Sequence, residues 1–486
     1  MSKPSFRLAV LAAAAALLAG CASDGGLKPQ ARLQQADQLQ ASATLGPAQL
    51  SPAAWPAYDW WQRYGDAQLN HIVDEALASS PTMRAAAARV RQAAAVAGIT
   101  GAAMSPQVTG GARSDRLKFS ATGDVPPPLA GGWAWRSEAM LNFGYEVDFW
   151  GKHEAALDAA LGRQKVAEVE GEAVRLVLTV GITQTYLKLS QLYAQRDLGE
   201  QVLQQRQQVL QLSQQRVAAK IDSQTDLKQA ELAIPLAKAD IAATDEAIAL
   251  VRTQLAALIG AGPDRGISIV RPQLKAVRPA SVPSVLPSEL LARRPDVVAQ
   301  RWRVESQRKE IDVAHAQFYP TINLNGLMGL QGFGLSNFLQ GANSIAGAGA
   351  GLSLPIFDGG RLRNNLALRD ADYDLAVEAY NQTLVDALRD VVSQLVSIQW
   401  LAERNTLQAQ ALAAAQQAYD LSVQRYRCGV GNYLQVLAAQ SQVLAQQRTQ
   451  IDLDTRAFEL DMQLARALGG GYQNLSYPGQ AALSSR

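Results

Sequence analysis

Histidine occurs three times, at His71, His153 and His315, and cysteine twice, at Cys21 and Cys428. General acid–base catalysis and metal binding need imidazoles, thiolates or carboxylates gathered at short spacing. These five residues are far apart in sequence. No His-Glu-x-x-His, no Cys-x-x-Cys and no phosphate loop ending in Gly-Lys-Ser/Thr occurs. Gly347-Ala348-Gly349-Ala350-Gly351 is rich in glycine but sits inside an alternating strand, where packing or a bend accounts for it. His153-Glu154 opens a helix and reads as surface. Cys428, beside a helical turn and without a histidine nearby, reads as a packed or partly exposed thiol rather than a nucleophile. The chain is therefore not expected to be an enzyme, and no metal site or cofactor is expected.

The one residue marked for covalent chemistry is Cys21. Lys3 and Arg7 precede an apolar run from Leu8 to Ala19, which ends at Leu18-Ala19-Gly20-Cys21. A positive start, a short apolar stretch and a small-residue cleavage site make a signal peptide over residues 1–20. The stretch is too short to span a bilayer as a helix, which takes about 20 residues. Leu-Ala-Gly-Cys resembles the bacterial lipobox, whose cysteine is acylated, with palmitate among the acyl chains, and becomes the mature N-terminus. Ala22 and Ser23 follow in place of the aspartate that retains such proteins in the inner membrane, which points to the outer membrane. Lys3 and Arg7 also account for the whole formal charge of +2, so the mature chain is balanced. A nucleic-acid partner would need a basic excess. With Cys21 lipidated, no disulfide can form within the chain.

The elements that carry these residues come in two copies. Pro81 and Pro106 recur as Pro295 and Pro320 at one offset of 214; Lys152, Arg216 and Gly260 recur as Arg361, Arg425 and Gly469 at an offset of 209. A repeat of this size turns one long chain into one unit used twice. The division expected is a lipid-anchored tether over 21–50, a first repeat over 51–265, a second over 266–470 and a tail over 471–486.

Helical patterns cover about 66–104, 151–219, 223–260, 284–318, 360–428 and 432–468. A helix of about 65 residues is on the order of 100 Å long, and helices that long outside a membrane suggest coiled coils. Leu203, Leu210 and Val217 are spaced by seven, as are Leu412, Tyr419 and Tyr426. Flanks of Gln, Arg, Ala and Ser suit the wall of a water-filled tube, or equally the outside of a helical bundle. Each long helix turns back at a capping box, Ser223 with Asp226 and Asn432 with Gln435. Gly429 suits the left-handed residue that ends a helix. Lys220 holds the same position in the first copy, so that turn is expected to be strained or differently shaped.

Between helices the period changes to two. Leu141, Phe143, Tyr145 and Val147 alternate with polar or small residues, as do Ile322, Leu324 and Gly326, and Ala348 to Ile356; Gln107 to Arg113 matches more weakly. The strand pairs span about 106–148 and 320–356, joined by loops at 118–132 and 331–345. Four strands cannot close a barrel, and an open edge in lipid leaves amides unpaired. The missing strands must come from other copies: two copies give eight strands around a filled bore, and three give twelve with room for a channel.

Four segments resemble the outer-membrane efflux proteins, the exit ducts of tripartite multidrug pumps, in their lipoprotein branch. They are Trp60-Trp61-Gln62-Arg63-Tyr64-Gly65-Asp66-Ala67-Gln68-Leu69, Leu286 to Asp296, Leu354-Pro355-Ile356-Phe357-Asp358-Gly359-Gly360-Arg361 and Arg425-Tyr426-Arg427-Cys428-Gly429-Val430-Gly431-Asn432-Tyr433. The resemblance covers nearly all of the mature chain. It implies a mainly α fold with a transmembrane β-barrel portion: a homotrimer whose 12-stranded barrel stands on a long periplasmic α-helical barrel. It implies a passive duct for drugs and other small amphipathic compounds, joined by a periplasmic adaptor to an inner-membrane transporter of the resistance-nodulation-division class. It places a periplasmic gate at the hairpin tips, with Tyr426 and Arg425 from the Arg-Tyr-x-x-Gly motif, Arg216 as the repeat mate of Arg425, and Asp222 and Asp226 as the acids. For Asp226 a cap, and for Tyr426 a heptad core position, are the plainer readings. Gly431, Ala438 and Ser441 stand where related ducts often carry charges, so the second hairpin is expected to close less firmly. Lys220, Ile221, Gly429, Val430 and Gly431 are the expected adaptor-docking tips.

Two rival readings stay open. A lipid-anchored spacer or adaptor without a pore fits the hairpins but not the strand pairs. A duct for proteins exported by type I secretion, or for metal ions, fits both, since the inner-membrane partner chooses the cargo.

Overall fold

Among the described residues, eight α-helices and a four-stranded sheet follow the two-copy layout. A computed structural model of the chain describes residues 25–35, 39, 50–51, 55–275, 282–283, 292–334 and 338–473. The signal segment, Cys21, most of the 36–54 stretch, the start of the Leu286–Asp296 motif and the end of the tail lie outside the described residues.

The helices are α1 Ala67–Ser79, α2 Pro81–Ala102, α3 Lys152–Ala218, α4 Gln224–Ile259, the one-turn α5 Asp264–Ile267, α6 Pro295–Ala316, α7 Arg361–Arg427 and α8 Tyr433–Ala467. The pattern over 66–104 is two helices rather than one. Ser80 leaves the helical region at ψ 141, as the residue before a proline must, and its hydroxyl accepts from Met83 N at 3.2 Å. Both α3 and α7 run 67 residues. Among the described residues no helix is long and apolar enough to cross a membrane.

The strands of the sheet are β1 Gln107–Lys118, β2 Trp133–Val147, β3 Thr321–Phe333 and β4 Ser344–Ser353, all antiparallel in the order β1-β2-β3-β4; apart from them Leu50–Ser51 pairs in parallel with Val282–Pro283. Register sorts the faces. Val108, Phe143, Tyr145, Ile322, Leu324, Met328 and Leu352 share one face. Arg113, Asp115, Arg136, Glu138, Asn142, Asn323 and Asn325 share the other. An apolar face towards lipid and a polar face towards water is the pattern of a membrane barrel wall. At one end all four strands join helices; at the other they join the 119–132 and 334–343 loops. The strands outrun their sequence signal: β1 continues to Lys118 because each of its residues pairs with one in β2.

The chain divides into two compact units, each built from pieces of both repeats. The first comprises residues 1–33, 89–167 and 300–380. There Ile311 and Ala314 of α6, with Phe318 just beyond its end, pack on Leu362 and Leu366 of α7. Gly162 lets α3 close on α6: a Cβ there would meet Ser306 at 3.1 Å, and Ser306 Oγ donates to Ala159 O at 2.9 Å. The amides of Gln30 and Ala31 hold this part of the N-terminal run on Asp374, at 3.0 and 2.8 Å.

The second unit comprises 34–88, 168–299 and 381–486. Its core joins Trp60, Trp61, Tyr64 and the buried face of α1 to Tyr186, Leu189, Leu255 and Ile259. The repeat shows in one packing device. Gly260, at φ 86, ends α4 against Ser80 and Pro81; Gly469, at φ 90, follows α8 against Arg293 and Arg294. A Cβ at either would fall within 3.0 Å of backbone, so both positions need glycine.

Candidate functional site

The two hairpin turns have the same shape. In the first, Ile221 N and Asp222 N return to Arg216 O at 2.9 and 3.5 Å, and Lys220 N returns to Val217 O. In the second, Val430 N and Gly431 N return to Arg425 O at 3.0 and 3.1 Å, and Gly429 N returns to Tyr426 O. Each donor and acceptor has its mate 209 residues on. Lys220 is the only non-glycine residue with positive φ among the described residues, at 59. The first turn is thus strained rather than reshaped.

Each turn feeds a capped helix. Ser223 and Asp226 form a reciprocal capping box, with Asp226 N donating to Ser223 Oγ at 3.2 Å and Ser223 N to Asp226 Oδ2 at 3.1 Å. In the second copy Asn432 Oδ1 accepts from Gln435 N at 3.0 Å.

At the base of these turns three side chains from both hairpins meet. The Arg216 guanidinium grips the Asp222 carboxylate with two bonds, Nε to Oδ2 at 3.0 Å and Nη2 to Oδ1 at 2.9 Å. Its third arm, Nη1, donates to Tyr426 O at 2.6 Å. The Tyr426 hydroxyl donates to Asp222 Oδ2, and Arg216 lies 4.4 Å over the Tyr426 ring. One arginine thereby ties its own hairpin's turn to the end of α7. Forked charge-assisted bonds of this kind hold geometry as well as energy.

The cluster is shielded from water. Tyr426 is fully buried, and the Arg216 and Asp222 side chains are 9% and 8% exposed. Tyr433 packs at 6.4 Å from the Tyr426 ring, and Ala230 and Val436 complete the patch. The Arg216 bond holds the Asp222 carboxyl below its usual range. Burial, with the Asp222 hydrogen bond second, pushes the Tyr426 phenol up to about 12. Both shifts preserve the charge pattern that the lock requires.

Of the five residues expected at the gate, the structure brings together Arg216, Asp222 and Tyr426. Asp226 sits in its cap, outside this network. Arg425 is exposed and makes no ion pair among the described residues, because Gly431 occupies the place corresponding to Asp222. Ile221 and Val430, mates at 209, are 60% and 67% exposed at the two tips; Lys220 and Gly429 are exposed beside them. Cys428 is an exposed free thiol. Sequence reasoning missed Tyr433 as a partner of Tyr426, although its place directly after the Asn432 cap fixes it at the start of α8.

The Trp-rich segment is a clamp. Asp66 caps α1 through Gln68 N at 2.9 Å, and it accepts from Tyr186 Oη at 2.8 Å and Gln273 N at 2.6 Å. Tyr64 donates to Asp461 at 3.0 Å, which also meets Arg63 at 3.2 Å. These bonds pin the segment to α3 and α8.

Comparison with known proteins agrees with this layout. The profile of the family described as "Outer membrane efflux protein" matches twice, over residues 72–261 and 286–470, one match in each repeat. The fusaric acid resistance protein FusA of Burkholderia cepacia is 39% identical over 375 residues, 76% of this chain and 70% of its own. The multidrug resistance outer membrane protein MdtP of Shigella flexneri is 31% identical over 472 residues, 94% of each chain. Among solved structures, the outer membrane protein VceC of Vibrio cholerae superposes with a TM-score of 0.80 at 37% identity, covering 86% of this chain and 100% of its own. The Campylobacter jejuni CmeC outer membrane channel gives 0.83 at 20% identity, over 94% and 98%.

Proposed function

Since the chain belongs to the outer membrane efflux protein family, it serves as an outer-membrane efflux duct, and we propose that it does so as a homotrimer gated by the Arg216–Asp222–Tyr426 lock. The edge strands β1 and β4 each leave one side unpaired among the described residues. In lipid those sides must be satisfied. Pairing β4 of one copy with β1 of the next closes twelve strands around a polar bore.

The observation that carries the gate is Arg216 Nη1 on Tyr426 O at 2.6 Å. It crosses from the first hairpin to the second, so neither can rotate away from the other while it holds. Opening the duct requires that crossing to break. Arg425 and Asp226, the other two residues expected at the gate, lie outside the lock and steer cargo at the mouth. The relatives named for multidrug and fusaric acid resistance support small organic compounds as that cargo. Exposed Ile221 and Val430, flanked by Lys220, Gly429 and Gly431, offer the periplasmic adaptor an apolar contact at each tip. The adaptor links the duct to an inner-membrane transporter of the resistance-nodulation-division class. A lipid on Cys21 anchors the chain, and replacing Cys21 with Ser should abolish labelling by radioactive palmitate.

Purified protein in planar bilayers tests the gate. The unaltered duct should conduct weakly, and Tyr426→Phe combined with Asp222→Asn should raise single-channel conductance several-fold. Equal conductance in both would remove the lock from the gate. A single-chain particle in mild detergent would remove the trimer.

A further inference from the structure

Two cations lie on the lipid side of the sheet without an anion among the described residues. Arg116 stands opposite Trp135 and Lys118 opposite Trp133 in the β1–β2 register. Parity puts all four on the face of Val108, Leu141 and Phe143. The charged residues on the opposite face are cross-linked instead. Arg113 meets Asp115 at 2.8 Å and Glu138 at 3.2 Å, and Arg136 meets Glu138 at 3.5 Å. Arg116 and Lys118 make no ion pair among the described residues and are exposed. The strand that would close against β1 in an assembly is β4 of a second copy, and β4 carries no charged residue.

Height decides what such cations can meet. A cation on a barrel's outer surface is costly at the bilayer middle and cheap at its rim. From Val108 to Lys118 is about 34 Å along the strand, or about 25 Å of height at a tilt of roughly 40°, close to the full apolar band. Arg116 and Lys118 thus stand at the loop-side rim, which is the exterior rim because every strand joins its helix at the other end. Trp133 and Trp135, 63% and 45% exposed, supply the aromatic belt expected there. Long stems let both cations reach headgroup level.

We propose that Arg116, Lys118, Trp133 and Trp135 form a binding site for a phosphorylated glycolipid of the outer leaflet, one site per chain. The two cations take the phosphate, and the exposed indole faces lie against the sugar rings. The proposal rests on the outer-membrane trimer argued above.

Native mass spectrometry of the full chain in detergent tests both separately. The particle mass reports the trimer, and a single-chain mass would overturn it together with this site. Phosphorylated lipid A should remain bound, while its dephosphorylated form and phosphatidylethanolamine should not. Arg116→Gln and Lys118→Gln should each weaken retention about fivefold, and about 25-fold together. Lys118→Arg should retain the lipid, and Arg113→Gln, on the polar face, should leave it unchanged. Equal retention of the dephosphorylated form, full retention by the double variant, or displacement by equimolar inorganic pyrophosphate would each overturn the proposal.

Discussion

Lys220 and Gly429 turn the chain with one left-handed backbone, at φ 59 and 81, at matching places in the two hairpins. An L-residue there costs about 1–2 kcal/mol, and the greater freedom of glycine in the unfolded chain gives back about half. Lys220→Gly should therefore raise thermal stability by up to about 1 kcal/mol, and Gly429→Ala should lower it by about as much. Melting of the detergent-solubilised protein reads both. A Lys220→Gly variant that melts lower would show that the lysine earns its place through a contact that outweighs the strain.

The Asp222 carboxylate and the Tyr426 phenol contribute unequally to the lock. Asp222 is covered, yet it stands at the tip of slender hairpins, with water one side chain away. Its ion pair is worth about 1–2 kcal/mol, nearer the surface value than the interior one. Tyr426→Phe loses a single hydrogen bond of about 1 kcal/mol and keeps the Arg216 fork. Single-channel recordings should rank the conductances as Asp222→Asn above Tyr426→Phe above the unaltered duct. The reverse order of the two variants would make the phenol the main latch.

Much of this site is legible in the sequence, and what is not has a physical reason. Tyr426 and Arg216 stand out through the repeat and the heptad. The Arg216–Asp222 pair does not, because six residues separate them and no regular element brings that spacing together. Only the left-handed Lys220 turn folds Asp222 back over the last turn of α3. Likewise β1 reads weakly, since Gly110, Gly111, Arg113, Ser114, Asp115 and Arg116 show no clean alternation. Its faces become plain only when β2 lies beside it. The pattern over 66–104 looks continuous because an apolar face in α1 runs straight into the alanine-rich α2; the break comes from Pro81 alone.

Acid should open the lock only below the usual carboxylate range. A depressed Asp222 pKa contributes stability above the unfolded value and loses it as pH falls through the folded one. The Tyr426 phenol, pushed up to about 12, contributes below its ordinary value and fails only as pH rises through the folded one. Between roughly pH 5 and pH 9 neither group changes charge. Closed-state conductance should be flat across that window and climb below about pH 4. A transition near pH 6 would place the controlling group elsewhere.

Asp226 should separate from Asp222 by its readout. Its carboxylate is engaged by Ser223 in the capping box, so Asp226→Ala should cost about 1 kcal/mol of hairpin stability. Its charge still faces the mouth, so the variant should shift cation selectivity while leaving conductance near that of the unaltered duct. Reversal potentials under a salt gradient measure this. Conductance rising as far as in Asp222→Asn would make Asp226 a second latch.

Gly431→Asp asks whether the second hairpin can be given the lock that it lacks. Gly431 corresponds to Asp222, and Arg425 to Arg216, so the substitution sets a carboxylate beside an exposed guanidinium that has no ion pair among the described residues. The fit is tight: a Cβ at Gly431 would lie 3.2 Å from Tyr426 N and 3.3 Å from the Arg425 carbonyl carbon. The first turn accepts a side chain at the corresponding place, so a shift of a few tenths of an ångström should suffice. The new pair is solvent-exposed and gains less than about 1 kcal/mol, much of it offset by the crowding. Stability should therefore change little, while conductance falls, because Arg425 is drawn back onto its own turn. The fall should vanish in 1 M salt, where screening reaches about 3 Å, and in Gly431→Asn, which has the same shape without the charge. A fall that persists in Gly431→Asn would trace the effect to backbone crowding rather than to a restored ion pair.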